Sequence, residues 1–120
     1  MRTILIFLLL LSFSSLAQQV INEEEFEEKL NDDIVLIEFY AEWNKDNCVD
    51  LAEFKDIKSY MVNIETCPNL TSTYKILSVP TILIFYNKEV VERYDADLTF
   101  QLCIKAPKKK VEELVLKKFM

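Results

Sequence analysis

The chain has 120 residues, a formal net charge of −6, 51% apolar and 12% aromatic residues, three cysteines, and neither histidine nor glycine. One domain is the most such a length holds. Without histidine there is no side chain whose unperturbed pKa lies near neutrality, which excludes Ser/His and Cys/His catalytic pairs and histidine-ligated metal sites. Without glycine, the phosphate-cradling loops that need backbone free of Cβ are excluded as well. The acidic balance speaks against nucleic-acid partners. No cofactor and no metal site is expected, and the functions left open use thiols, carboxylates or surface shape.

Met1-Arg2-Thr3 carries a positive charge, Ile4 to Leu11 is uninterrupted apolar sequence, and Ser12 to Ala17 is rich in small residues. This is the plan of a secretory signal peptide cut after Ala17, its apolar run shorter than the ~18 residues that cross a bilayer. Residues 1–17 are therefore expected to be the signal peptide and 18–120 the mature domain. The product would be secreted or periplasmic, with no membrane attachment after cleavage. That is an oxidising setting in which cysteines tend to pair.

Val20-Ile21 reads as a short first strand. Asn22 then serves as N-cap with Glu25 three residues on, the signature of a capping box for a helix through Leu30 whose buried face carries Phe26 and Leu30. Ile34 to Tyr40 is apolar except for Glu38, the pattern of a strand covered on both faces. Leu51, Phe54 and Ile57 recur at helical spacing, predicting a helix over 50–60, and Met61 to Ile64 is the next strand. Pro68 suits the first turn of a short helix ending near Tyr74. Thr81–Tyr86 and Glu89–Tyr94 flank Asn87-Lys88 as a hairpin whose turn asparagine stands in for glycine. Residues 95–106 give no clear signal. Pro107 introduces a last helix with Val111, Leu114 and Val115 on one stripe, and Lys105, Lys108, Lys109, Lys110, Lys117 and Lys118 as solvated charge.

Two stretches carry a family resemblance. Val35-Leu36-Ile37-Glu38-Phe39-Tyr40-Ala41-Glu42-Trp43 resembles the thioredoxin signature strand leading into its active-site tryptophan. Ser78-Val79-Pro80-Thr81-Ile82-Leu83-Ile84-Phe85 resembles that family's cis-proline strand. With Asn63-Ile64-Glu65 and the terminal hairpin between and after them, the likeness covers essentially the whole mature chain. It implies an α/β, thioredoxin-like three-layer fold: a central mixed sheet with helices on both faces, in the order β-α-β-α-β-α-β-β-α.

The chain departs from the family immediately after Trp43. Redox members carry Cys-x-x-Cys there, at a helix N-terminus that stabilises the attacking thiolate. The aligned residues here are Asn44 and Asn47, and an amide cannot attack a disulfide. Cys48 lies one residue further on, so it points about 100° away around the helix or, with a one-residue insertion, takes the second, resolving position. The resemblance makes Cys67 its candidate disulfide partner, because the strands preceding the two cysteines are neighbours in such a sheet. Cys103 is expected to be a buried hydrophobe. Glu38 matches the family's buried acid, a general base only if Cys48 is redox-active, and the family's nearby lysine falls on Met61.

Trp43, Val79 and Pro80 match the groove where the family pairs with an extended client; Trp43 and Pro80 serve equally well as core cap and fixed turn. Two functions stay open. The first is an exported thioredoxin-like domain without redox activity at the usual site, acting as a binding or structural module for a protein or peptide client. The second is a noncanonical thiol-disulfide oxidoreductase using Cys48 with Cys67 or a client cysteine. Oligomeric state is not legible.

Overall fold

The computed structural model describes residues 19–119; the signal-peptide reading of residues 1–17 lies outside them. The elements are α1 (Glu23–Lys29), β1 (Ile34–Tyr40), β2 (Lys58–Asn63), α2 (Pro68–Thr73), β3 (Thr81–Tyr86), β4 (Glu89–Asp95) and α3 (Lys105–Lys118). Two short 3-10 segments, Glu42–Asn47 and Leu51–Glu53, lie between β1 and β2. The strands form one sheet in the order β2-β1-β3-β4. β1 is parallel to β2 and antiparallel to β3, and β4 closes the far side as the antiparallel arm of the hairpin. The α/β architecture expected from the sequence is the one observed.

Strand alternation explains why β1 reads as apolar on both faces. Val35, Ile37 and Phe39 point into one core with Phe26 of α1, its C-cap Leu30, Tyr60, Val62, Leu83 and Phe85. Ile34, Leu36 and Tyr40 point into a second core with Met61, Ile82, Ile84 and the α3 residues Val111 and Leu114. All seven residues of β1 are buried, and full burial of a side chain such as Phe39 contributes about 2–3 kcal/mol. In the first core Phe26 meets Phe85 edge-on at 5.9 Å, and Tyr74 meets Phe85 at 5.7 Å. The sheet therefore separates two apolar layers, so residues on opposite sides of it do not meet.

Local chemistry sets the ends of the elements. The capping box at α1 is formed: Asn22 Oδ1 accepts from Glu25 N at 2.8 Å, and Asn22 N donates to Glu25 Oε1 at 3.1 Å. Asn87 and Lys88 have φ of 51° and 70°, the two positive angles of a type I′ turn. One glutamate of α1 ties that helix to another. Glu23 reaches across to the start of α2, where its carboxylate accepts from Asn69 N at 2.6 Å, Leu70 N at 3.0 Å and Asn69 Nδ2 at 3.1 Å. The α3 lysines are not all free, since Lys108 pairs with Glu53, Lys110 with Glu92, and Lys118 with Asp33.

Two elements differ from expectation. Val20 makes only an isolated bridge to Met61 instead of a strand. Residues 50–60 do not form the expected helix; a single 3-10 turn covers Leu51–Glu53, and β2 starts early, at Lys58. The reason is length. β1 and β2 are parallel, so the chain must return along the whole strand, about 20 Å for six residues at ~3.3 Å each. After the Glu42–Asn47 turn only residues 48–57 are left for this, and ten residues of α-helix span about 15 Å. An open path with Leu51 and Phe54 as buried anchors covers the distance.

Glu23→Ala removes the acceptor at the start of α2 and is expected to lower unfolding stability by about 1 kcal/mol. Glu24→Ala, on the same helix, should change it by less than about 0.5 kcal/mol. Urea unfolding of the two variants checks this.

Candidate functional site

The carboxyl ends of β1 and β2 and the amino end of β3 meet at one rim, where the Glu42–Asn47 turn, the Ser78–Pro80 segment and the loop 96–104 come together. Its centre is Asn44, buried in the turn. Asn44 Nδ2 donates to the carbonyl of Val79 at 2.9 Å and to that of Phe100 at 3.2 Å. Its Oδ1 accepts from Asn47 Nδ2 at 2.7 Å. The two amides at the positions aligned with Cys-x-x-Cys are thus joined to each other by a hydrogen bond. One of them also ties three chain segments together. The Val79–Pro80 peptide bond is cis, and Val79 and Pro80 are both buried.

Trp43 does not cap the core. It is 64% exposed and meets Phe100 in a T-shaped contact with ring centroids 5.3 Å apart. Phe100 has φ of 60°, a left-handed conformation that costs a non-glycine residue about 1 kcal/mol. Asp97 holds it there. Its Oδ1 accepts from Thr99 N at 2.8 Å, from Gln101 N at 3.2 Å and from the Thr99 hydroxyl, while Phe100 N donates to the Asp97 carbonyl at 3.0 Å. These bonds to the charged form, led by Thr99, keep the Asp97 carboxyl below its ordinary pKa.

The three cysteines are free thiols: of the two possibilities open for Cys48, a disulfide to Cys67 or an unpaired thiol, the structure has the unpaired thiol. The sheet is the physical reason: Cys48 packs against the core that holds Leu36 and Met61, and Cys67 sits in the one that holds Phe26 and Phe39. Cys103, expected to be buried, is exposed. Cys48 is half-buried beside a cleft of about 400 Å³ that Val20, Tyr40, Lys45 and Met61 also line. Burial first, then the charge of Glu38, push its thiol up to about 11. At neutral pH about one molecule in ten thousand would carry the thiolate. The segment beginning at Cys48 is extended, with φ −62° and ψ 145°, so Cys48 gains nothing from an α-helix N-terminus.

Glu38 lies in the second core, fully buried between Leu36 and Tyr40. Its Oε2 accepts from Val49 N at 2.6 Å, and among the described residues Oε1 has no partner. Its register partner on β2 is Met61, so the position aligned with the family's lysine brings no cation to it. Burial raises the carboxyl from 4.5 to about 7; the Val49 hydrogen bond opposes this and the charge of Asp50 adds to it. Glu38 lies close enough to Cys48 to act on it, but its effect is to disfavour the thiolate.

The thioredoxin family profile matches residues 17–106. The chain belongs to the thioredoxin family. Among curated relatives, a thioredoxin of Chlamydia trachomatis is 31% identical over 83 residues, covering 62% of this chain and 80% of its own. The chloroplast M-type thioredoxin of Triticum aestivum is 40% identical over 67 residues, covering 48% of this chain and 38% of its own. Among solved structures, a mutant thioredoxin of Halobacterium salinarum superposes with a TM-score of 0.64 at 26% identity, covering 80% of this chain and 88% of that one. Within this thioredoxin-family domain, the rim brings together Trp43, Asn44, Asn47, Val79 and Pro80. It leaves Cys48 and Glu38 beneath one face of the sheet and Cys67 on the other.

Sequence reading did not find Phe100 or Asp97. The Asp97-x-Thr99 spacing of a side-chain-capped turn was the available signal, and it specifies a turn without saying where that turn packs.

Two outcomes follow. Glu38→Gln tests the buried acid. Between its unfolded value near 4.5 and its folded value near 7, the native state holds a proton that the unfolded state releases. Stability should therefore fall as pH rises through that window, by an amount on the order of 3 kcal/mol, and level off above it. The variant should flatten this decline when Tm is followed from about pH 5 to about pH 8. Asn44→Ala leaves the Val79 carbonyl and the Asn47 amide without their partner. It is expected to cost about 2 kcal/mol and to speed amide hydrogen exchange across residues 96–104.

Proposed function

We propose that this protein is an exported, redox-inactive member of the thioredoxin family that holds a protein or peptide partner at the rim of Trp43, Phe100 and the Val79–Pro80 segment. The observation that carries the reading is Asn44. Where redox relatives place a nucleophilic sulfur, a buried amide is fully engaged as a hydrogen-bond bridge. Cys48 supports it from the other side: its thiol is raised to about 11 and its expected partner Cys67 lies beyond the sheet. Export rests on the basic, apolar and small-residue order of residues 1–17.

The rim keeps what binding needs. Its aromatic pair is exposed yet fixed, the state in which large side chains make contacts at low entropic cost. The Val79 carbonyl, which an extended client would use as an acceptor, already accepts from Asn44. Contact through the exposed aromatic side chains needs no free backbone acceptor.

Thiol-disulfide exchange separates this reading from an oxidoreductase built on Cys48. Reduction of a disulfide-bonded protein substrate by dithiothreitol should run no faster with the protein than without it, and Cys48→Ser should leave that result unchanged. An acceleration that Cys48→Ser abolishes would overturn the proposal.

A further inference from the structure

The exposed aromatic pair at the rim has a mainly acidic surround. Residues 41–47, 63–67 and 96–104 contain Glu42, Asp46, Glu65 and Asp97, with Lys45 as their only cation. Structure ties three of these carboxylates to the aromatic pair. Glu42 precedes Trp43 in the turn. Glu65 Oε1 accepts from Glu42 N at 3.3 Å, bringing a second carboxylate to the same backbone. Asp97 is the anchor of the turn that presents Phe100, and the bonds it accepts keep it ionised. Lys45 does not offset them at this place, because it lines the cleft beside Cys48 and Met61. Arg93, the nearest arginine in the sheet, is paired with Asp95 and donates to the carbonyls of Tyr74 and Lys75.

An exposed indole whose neighbouring backbone carries carboxylates complements a flat cation. A guanidinium stacks on an aromatic face and donates in a fork to carboxylates, whereas a lysine ammonium is a more strongly hydrated point charge. We infer that the partner presents an arginine-bearing, basic polypeptide segment to this rim. Its guanidinium lies against Trp43 between Glu42 and Glu65, and its neighbouring residues meet Phe100 and Asp97. The inference rests on the rim being a binding surface, as proposed above, and adds the chemistry of what binds.

Trp43 is the only tryptophan in the chain, so its fluorescence reports on the rim alone. The probes are four peptides of one length and backbone sequence, carrying arginine, lysine, leucine or glutamate at the same two positions. The arginine peptide should shift Trp43 emission saturably, the lysine peptide more weakly, and the other two not at all. Raising salt from about 0.05 M to about 0.5 M should weaken the arginine peptide about tenfold. The double variant Glu42→Gln and Glu65→Gln, which keeps the acceptor for Glu42 N, should weaken it about fivefold. Glu24→Gln, on α1, should leave it unchanged. Equal binding of the leucine peptide, insensitive to salt and to the double variant, overturns the arginine assignment and leaves the rim as an apolar binding surface. No Trp43 response to any of the four overturns both readings. Trp43-dependent self-association in sedimentation also overturns the inference, because the rim's partner is then a second copy.

Discussion

The distance that the chain must cover between β1 and β2 shapes everything at the functional end of this molecule. Parallel strands force a return along the full strand, and the residues left after the Glu42–Asn47 turn are too few to make that return as an α-helix. They take an open path instead. A helix would have aimed a thiol at solvent with its dipole behind it; the open path turns Cys48 toward the second core, beside a buried acid. Asn44 and Asn47 thus stand in a 3-10 turn with an open path, not an α-helix, behind it.

Asn44 plays a structural part at the position aligned with a redox cysteine. A sulfur nucleophile must be reachable and incompletely satisfied to react. An amide buried at the same point is stable only when its donors and acceptor are matched, and Asn44 meets that requirement with Val79, Phe100 and Asn47. The same bonds stiffen the rim that carries Trp43. Glu38 has the opposite character. With Met61 beside it and one oxygen unpartnered among the described residues, it is a costly buried group, and its raised pKa reflects that cost.

Much of the fold was legible because its strongest signals are local. The unbroken apolar run of β1, the Asn22/Glu25 pairing and the Asn87 turn each specify their own geometry, and each is found as read. The segment 50–60 departs from its pattern: Leu51, Phe54 and Ile57 satisfy helical periodicity, but the Glu42–Asn47 turn leaves too few residues to cover the return along the sheet as a helix. Periodicity is a property of the segment; the distance belongs to the sheet. The site was legible by the same division. The absence of sulfur at Asn44 and Asn47 could be read directly. That Cys48 and Cys67 lie on opposite faces, and that Phe100 meets Trp43, depend on packing between distant segments.

A chain without glycine must make its left-handed bends with residues that resist them. Lys75, Asn87, Lys88 and Phe100 all have positive φ. Glycine would relax those bends but would give the denatured chain more freedom to lose on folding. This protein takes the other side of that exchange: a narrower denatured ensemble and a native backbone under local torsional load. Phe100 is where that load coincides with the rim, so one of the two exposed aromatic rings there is held by the polypeptide against its own preference.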